Sequence, residues 1–198
     1  MTVTRFATRA LVLIGPVVFT GSWLLLGFSH DGYSHVEGSI SVLAAYGAPG
    51  AWVMAVAFVV QAVAMAVAGW LLRPVDRLTA AVLAVNATAT LVVAVARVGC
   101  GGGDAAWCTP SAHPLSQVVH VVAATIALTT LSLAPLVLGL RRRSTHPTEA
   151  RAALACFAVL APLLVWFGFA DAAGWAEKAV VTIGIFWAAV AAAFPRQL

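Results

Sequence analysis

Charged side chains are scarce in this sequence, and the shortage excludes most classes of protein. Only 11 basic and 7 acidic residues occur among 198. A soluble domain usually carries about 25% charged residues, so this chain could not cover a surface in water. Disorder is also excluded, because 62% of the residues are hydrophobic and disordered segments have low hydrophobicity. The mean hydropathy of +0.99 instead predicts a domain that lies in lipid.

Apolar runs are what the sequence has in abundance. A helix needs about 20 apolar residues to cross a bilayer. Six runs qualify, at residues 11–28, 51–72, 78–96, 115–140, 152–170 and 179–194. They are continuous and do not alternate, so they predict helices and not a transmembrane barrel. We therefore predict an all-α fold, an integral membrane bundle of six transmembrane helices that forms a single domain over residues 1–198.

The basic residues predict the orientation of this bundle. Nine of the eleven fall on one side: Arg5, Arg9, Arg73, Arg77, Arg141, Arg142, Arg143, Arg151 and Arg196. Cytoplasmic loops carry the excess of Lys and Arg, so we expect a plasma membrane protein with both termini in the cytoplasm. Anchoring to anionic membrane lipids accounts for the pI of about 9.5, and no nucleic-acid partner is needed.

The acids and histidines concentrate on the opposite, outer side. Five of the seven acids and four of the five histidines lie there: Asp31, Glu37, Asp104, Asp171, Glu177, His30, His35, His113 and His120. An outward-opening polar pocket would explain this concentration. The outer segment after the first span includes an apolar stretch at residues 42–46, which predicts a short interfacial or re-entrant segment. It is a candidate pocket lid, and the alternative is a solvated polar loop.

Two histidines of the fourth span are candidate acid/base groups. His113 precedes Pro114, a favoured first helical residue, and His120 follows seven positions later on the same face. His120 would lie about 10 Å deeper along the helix axis. An ionisable side chain at that depth is a functional-site hypothesis, and the alternative is a neutral histidine bonded to a neighbouring helix. Asp171 or Glu177 would be the carboxylate partner.

Other outer residues are candidates for ligand binding. Arg97 ends the third span and could clamp a phosphate or carboxylate, or extend to lipid headgroups. Glu177 and Lys178 are adjacent, so we expect one to face the bundle and the other the interface. Gln61 and Asn86 lie deeper and are interpreted as interhelical hydrogen-bond partners. The predicted ligand-binding set is Arg97, His35, Glu37, Tyr33, Ser39, Lys178 and Trp175.

Cysteines and cofactor motifs are few. Cys100 and Cys108 share a glycine-rich outer loop, where a disulfide is expected and free thiols are the alternative. A thioredoxin-like role is disfavoured because the spacing is not Cys-x-x-Cys. Cys156 is interpreted as a small apolar filler. No metal-ligand spacing, Walker loop, nucleophile elbow or dinucleotide fingerprint occurs, so we predict no metal and no cofactor.

Several short motifs together resemble a known family. They are Gly15-Pro16-Val17-Val18-Phe19, Gly32-Tyr33-Ser34-His35, Ser39-Ile40-Ser41-Val42-Leu43-Ala44 and Gly174-Trp175-Ala176-Glu177-Lys178. The arrangement resembles the bacterial multi-span family known as domain-of-unknown-function family 998. The resemblance implies six helices, and His113 or His120 would match the family's histidine. Family members often carry Gln-Arg where this chain has Glu177-Lys178, and a Phe-Pro-x-Asp-Pro-like segment where this chain has residues 98–101.

Three functions remain open at this point. One is a non-catalytic membrane protein that binds a lipid or isoprenoid-like molecule, or that belongs to a homo-oligomer or larger membrane assembly. Another is an enzyme that acts on such a lipid by acid/base chemistry of its histidines and carboxylates. A proton-coupled transporter is disfavoured, because Gln61 and Asn86 are the only strongly polar side chains predicted near the membrane midplane.

The orientation is directly testable. A reporter enzyme that is active only in the periplasm, fused after Leu198, should give no activity, because the basic residues retain that end in the cytoplasm. The same reporter inserted after Gly102 should be active and serves as the control. Strong activity of the fusion after Leu198 would contradict the orientation.

Overall fold

Six long helices make up the computed structural model, which describes residues 3–99, 113–170 and 173–194, with side chains from residue 8 onward. The helices are α1 (Val3–Ser29), α2 (Ala51–Leu72), α3 (Arg77–Val95), α4 (Pro114–Arg142), α5 (Pro147–Phe169) and α6 (Gly174–Ala193). Each is long and apolar enough to cross a membrane. The described residues contain no strand. The predicted fold class is therefore confirmed, and the chain is a multi-pass membrane protein.

Two helices begin five residues before the predicted apolar runs. Helix α5 begins at Pro147 and α6 at Gly174, whereas the runs began at residues 152 and 179. A proline is suited to the first helical position because its missing N–H would be unpaired there anyway. In both cases the extra turn contains charged residues, among them Glu149 and Lys178. The predicted bounds, which were based on apolar residues, therefore missed the first turns of these two helices.

Helix α6 closes the bundle. Consecutive helices pack against each other along the chain, and α6 also packs against α1, α2 and α4. Many of its inward positions are small, including Gly184, Ala188 and Ala192. Small residues let helix backbones approach closely in lipid, where packing replaces the hydrophobic driving force. A side chain at Gly184 would collide with Leu131 of α4. By contrast, α5 lies at the edge of the bundle and buries little of its surface.

The connection between α1 and α2 folds back into the bundle. Residues 34–46, which we call the lid, contain a short 3-10 helix, Ile40–Ala44. Ile40, Leu43 and Ala44 of this helix are buried against α1, α2 and α6. Gly50 then caps α2 in a left-handed conformation, with φ of 63°, which lets the chain turn sharply into the helix. The expected re-entrant segment is therefore present at one end of the bundle, the lid end.

A network of charges holds the opposite end, where the arginines lie. The Asp76 carboxylate caps α3 by accepting from Thr79 N at 2.8 Å, and it also accepts from Arg141 Nε at 2.5 Å. Burial alone would raise the pKa of Asp76. The hydrogen bonds from Thr79 and the Arg141 guanidinium together outweigh burial, so this pKa lies below its usual value. Asp76 thus joins α3 to α4.

Replacing Asp76 tests the cap. We expect Asp76→Ala to lower the free energy of unfolding in detergent by about 1–2 kcal/mol, because an α3 amide loses its partner. Asp76→Asn keeps a good capping group and should lose less than half of that. The stabilisation by Asp76 should be complete at neutral pH and should disappear as the pH falls through its lowered native pKa. Equal losses in both variants would contradict the capping role.

Candidate functional site

Polar side chains at or just beyond the ends of three helices hold the lid. Their hydrogen bonds and ring contacts join lid atoms to residues close to the ends of α3, α4 and α6. A carbonyl or N–H buried in lipid without a partner costs several kcal/mol, so these contacts decide whether the lid can stay inside the bundle. The side chains involved are Arg97, His120, Glu177 and Lys178. All four were candidate site residues of the sequence analysis.

Glu177 and Lys178 both face the lid. Glu177 Oε2 accepts from Ile40 N at 2.9 Å, and Lys178 Nζ donates to Gly38 O. The Lys178 ammonium also lies 5.2 Å from the ring centroid of Tyr33 and 5.9 Å from that of Trp23. Glu177 is 7% exposed and Lys178 is 6% exposed. The expectation that one of them faces the interface is therefore wrong, because the lid covers both sides of this helical turn.

The first turn of α6 touches the lid through its backbone as well. Trp175 N donates to Val36 O at 2.9 Å. A Cβ at Gly174 would overlap the carbonyl oxygen of Gly38, so only glycine permits this approach. The Tyr33 hydroxyl completes the contact by donating to Gly38 O and Ser39 O at 3.0 and 3.1 Å. The lid is thus joined to the first turn of α6 at Val36, Gly38 and Ile40.

Arg97 holds the other end of the 3-10 helix. Its Nε and Nη2 donate to Ala44 O and Ala45 O, each at 2.7 Å. The guanidinium lies over the Tyr46 ring, with Cζ 4.9 Å from the centroid. Tyr46 N in turn donates to Val98 O at 3.0 Å. The guanidinium therefore holds carbonyl oxygens of the lid, and its predicted role as an anion clamp stays a prediction.

The polar residues of α4 share one face, as their spacing predicted, and this face contacts both the lid and the end of α3. His120 is 2% exposed; its Nε2 is 2.9 Å from Ser41 Oγ and its Nδ1 is 2.5 Å from Ala96 O. Ser116 Oγ donates to Arg97 O, and Gln117 Oε1 accepts from Gly99 N. The His113 ring lies against Tyr46, with centroids 4.8 Å apart. His120 therefore points into the bundle, but its ring nitrogens contact Ser41 and Ala96 and not the predicted carboxylate of Glu177, which instead accepts from the lid backbone.

A cavity of about 50 Å³ lies beneath the lid. Its polar lining residues are Ser41 and Glu177 at the lid, with Gln61, Asn86 and Thr90 deeper in the bundle. Taking 1.5 Å of rise per residue, Gln61 lies about 10 Å further from the lid end than Glu177. The rest of the lining is apolar and includes Phe19 and Phe58. The volume is enough for a few water molecules.

Gln61 is the least satisfied side chain of this cavity. It is 2% exposed, and neither Oε1 nor Nε2 has a hydrogen-bond partner among the described residues. Asn86, in contrast, donates from Nδ2 to Ala127 O of α4 at 2.7 Å. The interpretation as an interhelical partner thus holds for Asn86, while Gln61 makes no such bond. Buried polar groups usually have a hydrogen-bond partner, so this amide is a candidate contact for a water molecule or a ligand.

Among the described residues, Glu177 is the one predicted site residue that lines this cavity. Glu37 and Trp175 expose their side chains. His35 packs among Trp23, Phe28 and Tyr33, and burial first, then Lys178, lower its pKa. Burial first, then the Glu177 carboxylate, raise the pKa of Tyr33. His35 thus joins the first residues of the lid to α1, and Tyr33 packs against it just before the lid.

Several predictions fall on parts of the chain outside the described residues. Asp171, and the disulfide predicted between Cys100 and Cys108, belong to this group. Cys156 is a free cysteine of intermediate exposure within α5. Within residues 3–99, 113–170 and 173–194, no three His, Cys, Asp or Glu side chains come together as a metal site would require.

Sequence reasoning did not assign Ser41 or Gln61 to the site. Ser41 lies among several serines of the lid region, and nothing in its neighbours marks it as the partner of His120. Gln61 is a polar residue within an apolar span, which sets it apart from its neighbours in the sequence. Asn86 shows the same pattern, so the sequence does not tell the two residues apart. The unpaired amide that separates these two becomes visible only once the helices are packed.

These features define a class: a six-helix membrane protein with a mostly apolar cavity, lined by a few polar side chains, under a re-entrant lid. The chain belongs to the family described as Protein of unknown function (DUF998), whose model matches residues 13–194. The resemblance noted in the sequence is therefore confirmed. No curated protein and no solved structure matches the chain.

The anchoring by Arg97 is testable by hydrogen exchange. Arg97→Met removes two charge-assisted hydrogen bonds to the lid, each contributing about 1.5–3 kcal/mol. We expect exchange of the Ala45 and Tyr46 amides to speed up about 10-fold or more, because 1.4 kcal/mol corresponds to a tenfold change. Arg97→Lys can restore one donor and should show a smaller increase. Unchanged exchange in Arg97→Met, with α2 amides as the reference, would show that the lid does not depend on this residue.

Proposed function

We propose that this protein is a membrane-embedded binding protein that holds a small amphipathic, lipid- or isoprenoid-like molecule beneath its lid. The observation that carries this proposal is the Gln61 amide, which is buried in the cavity wall with both polar atoms unpaired. Leaving a buried amide unpaired costs about 1–3 kcal/mol. A ligand that pairs with the amide would offset this cost.

The distribution of polar and apolar groups supports an amphipathic ligand. Glu177 and Ser41 supply oxygen atoms directly under the lid, and Gln61 supplies a donor and an acceptor about 10 Å deeper. The Phe19 and Phe58 rings, whose centroids are 5.0 Å apart, contribute apolar surface to the same cavity. Pockets of this composition use a few polar groups to orient a mostly apolar ligand.

The small volume of the cavity means that the lid takes part in binding. About 50 Å³ admits a few water molecules, so a lipid-like molecule enters only when the lid moves. The anchors are concentrated on residues 38–46, and releasing them would free the 3-10 helix from the bundle as one segment. We propose that the closed lid retains the ligand.

We further propose that the lid end faces outward from a plasma membrane, with both termini in the cytoplasm. The arginines of the opposite end support this orientation, among them Arg73, Arg77 and Arg143. Surrounding membrane lipids would be the immediate partners of the exposed apolar faces. The ligand would then enter from the outer leaflet or from the outer aqueous phase.

Replacing Gln61 by leucine tests the binding proposal. Without ligand, Gln61→Leu should unfold at a higher temperature than the parent protein, because it removes an unpaired amide while keeping the side-chain size. On adding an extract of bacterial membrane lipids, the melting temperature of the parent should rise and that of Gln61→Leu should stay nearly constant. Thermal unfolding in delipidated detergent micelles, with and without extract, measures both effects.

Thr125→Val is the matched control, because it removes a polar group of α4 that is exposed and bonded to Val121 O. Its response to the extract should equal that of the parent protein. A rise of equal size in Gln61→Leu and in the parent, or no rise in either, would contradict the proposal. Mass spectrometry of the molecules retained by the parent and lost from Gln61→Leu would then identify the ligand.

A further inference from the structure

The bond between Ser41 and His120 has a defined direction. His120 Nδ1 is 2.5 Å from Ala96 O, and a carbonyl oxygen can only accept. In a neutral imidazole the proton therefore lies on Nδ1, and Nε2 carries the lone pair. Ser41 Oγ is 2.9 Å from Nε2, so its hydroxyl donates to the ring. The result is a hydroxyl bonded to a base, with the base oriented by a third group.

This arrangement differs from the other serine contacts of the lid end. The hydroxyl of Ser116 donates to Arg97 O, and that of Ser29 donates to Leu26 O at 3.0 Å. A carbonyl oxygen cannot remove a proton from a hydroxyl at neutral pH, whereas a neutral imidazole can. Ser29 also lies near His30 Nδ1, but that nitrogen points at Leu26 O at 2.5 Å. Among the serines that the structure describes at the lid end, Ser41 is therefore the one placed for activation.

Ser41 is also the member of the pair that a ligand can reach. It lines the cavity and is half-buried, whereas His120 lies behind it and is 2% exposed. A nucleophile within 2.6–3.2 Å of its base, with the base held by another group, is the arrangement found in enzymes of acyl transfer.

We propose that Ser41 and His120 are a nucleophile and general base that cleave an acyl ester of an amphipathic molecule. The inference rests on the proposed function, since the substrate would occupy the same cavity. The apolar lining, which includes Phe19, Phe58 and Leu131, fits the hydrocarbon part of such an ester. Water, or the hydroxyl of a second lipid, is the acceptor of the acyl group.

The chemistry balances with water as the only co-reactant. Ser41 Oγ attacks the ester carbonyl carbon while its proton moves to His120 Nε2. The tetrahedral intermediate collapses, the bond to the alcohol oxygen breaks, and the alcohol leaves with the proton from Nε2. Water then attacks the acyl-serine, giving its proton to Nε2, and collapse releases the carboxylic acid as the Ser41 hydroxyl regains that proton. No oxidant, reductant or metal is consumed.

The test is covalent labelling of the full-length protein in detergent with an alkyl fluorophosphonate. The serine oxygen displaces fluoride from phosphorus, and peptide mass spectrometry locates the adduct. We expect one adduct, on Ser41, and none in Ser41→Ala. Ser34→Ala is the matched control, because the Ser34 hydroxyl only accepts from the Val36 and Glu37 amides, and its labelling should be unchanged. His120→Gln should be labelled at least about 100-fold more slowly than the parent protein, as expected for loss of a general base.

A second readout separates this inference from the binding proposal. Hydrolysis of p-nitrophenyl butyrate should occur in the parent and Ser34→Ala proteins and disappear in Ser41→Ala. Ser41→Ala should keep the stabilisation by lipid extract, which shows that it is folded. If the parent shows that stabilisation but no Ser41 adduct, catalysis is refuted and binding stands. The adduct could instead form on Ser41 while the lipid extract raises the melting temperatures of the parent and Gln61→Leu equally, or raises neither. In that case catalysis is supported and the proposed ligand contact with Gln61 is refuted.

Discussion

An irregular stretch of backbone can lie inside a bundle of apolar helices only if its carbonyl and amide groups find partners there. The lid of this protein meets that requirement with side chains of its neighbours. Glu177 accepts from the amide of Ile40, Lys178 donates to the carbonyl of Gly38, and Arg97 donates to two carbonyls at the end of the 3-10 helix. The costly burial of these ionisable groups is thus explained by the backbone that they satisfy.

The same arrangement creates the cavity. The contacts to α3, α4 and α6 are made at the edges of the lid. Its inner surface, with Ser41, therefore forms one wall of the cavity, which is also lined by Gln61 and Asn86. The small residues of α6 bring the helices close at the centre of the bundle. The cavity and its cover therefore depend on the same contacts. In the proposed function, the charged anchors that close the cavity are the groups whose release would open it. Binding and lid movement are consequently linked in this account.

The fold was largely predictable, because charge-free runs of helix length have few structures available to them in lipid. The first turns of α5 and α6 were missed, since Glu149 and Lys178 interrupt the apolar pattern without interrupting the helix. In the candidate site, His120, Arg97 and Glu177 were predicted because ionisable groups near lipid are energetically costly. Their partners are mostly backbone atoms of the lid, which leave no trace in the sequence. Ser41 and the unpaired state of Gln61 depend on packing and could not be deduced beforehand.

The central claim is that the space beneath the lid is a ligand site whose polar contact is Gln61. An experimental density map of the protein purified from its own membrane, at a resolution that shows ordered water, tests it most directly. The account predicts density that does not belong to the chain, within hydrogen-bond distance of the Gln61 amide and extending toward Glu177. A cavity without such density, or a Gln61 side chain turned to bond a neighbouring carbonyl, would contradict the claim.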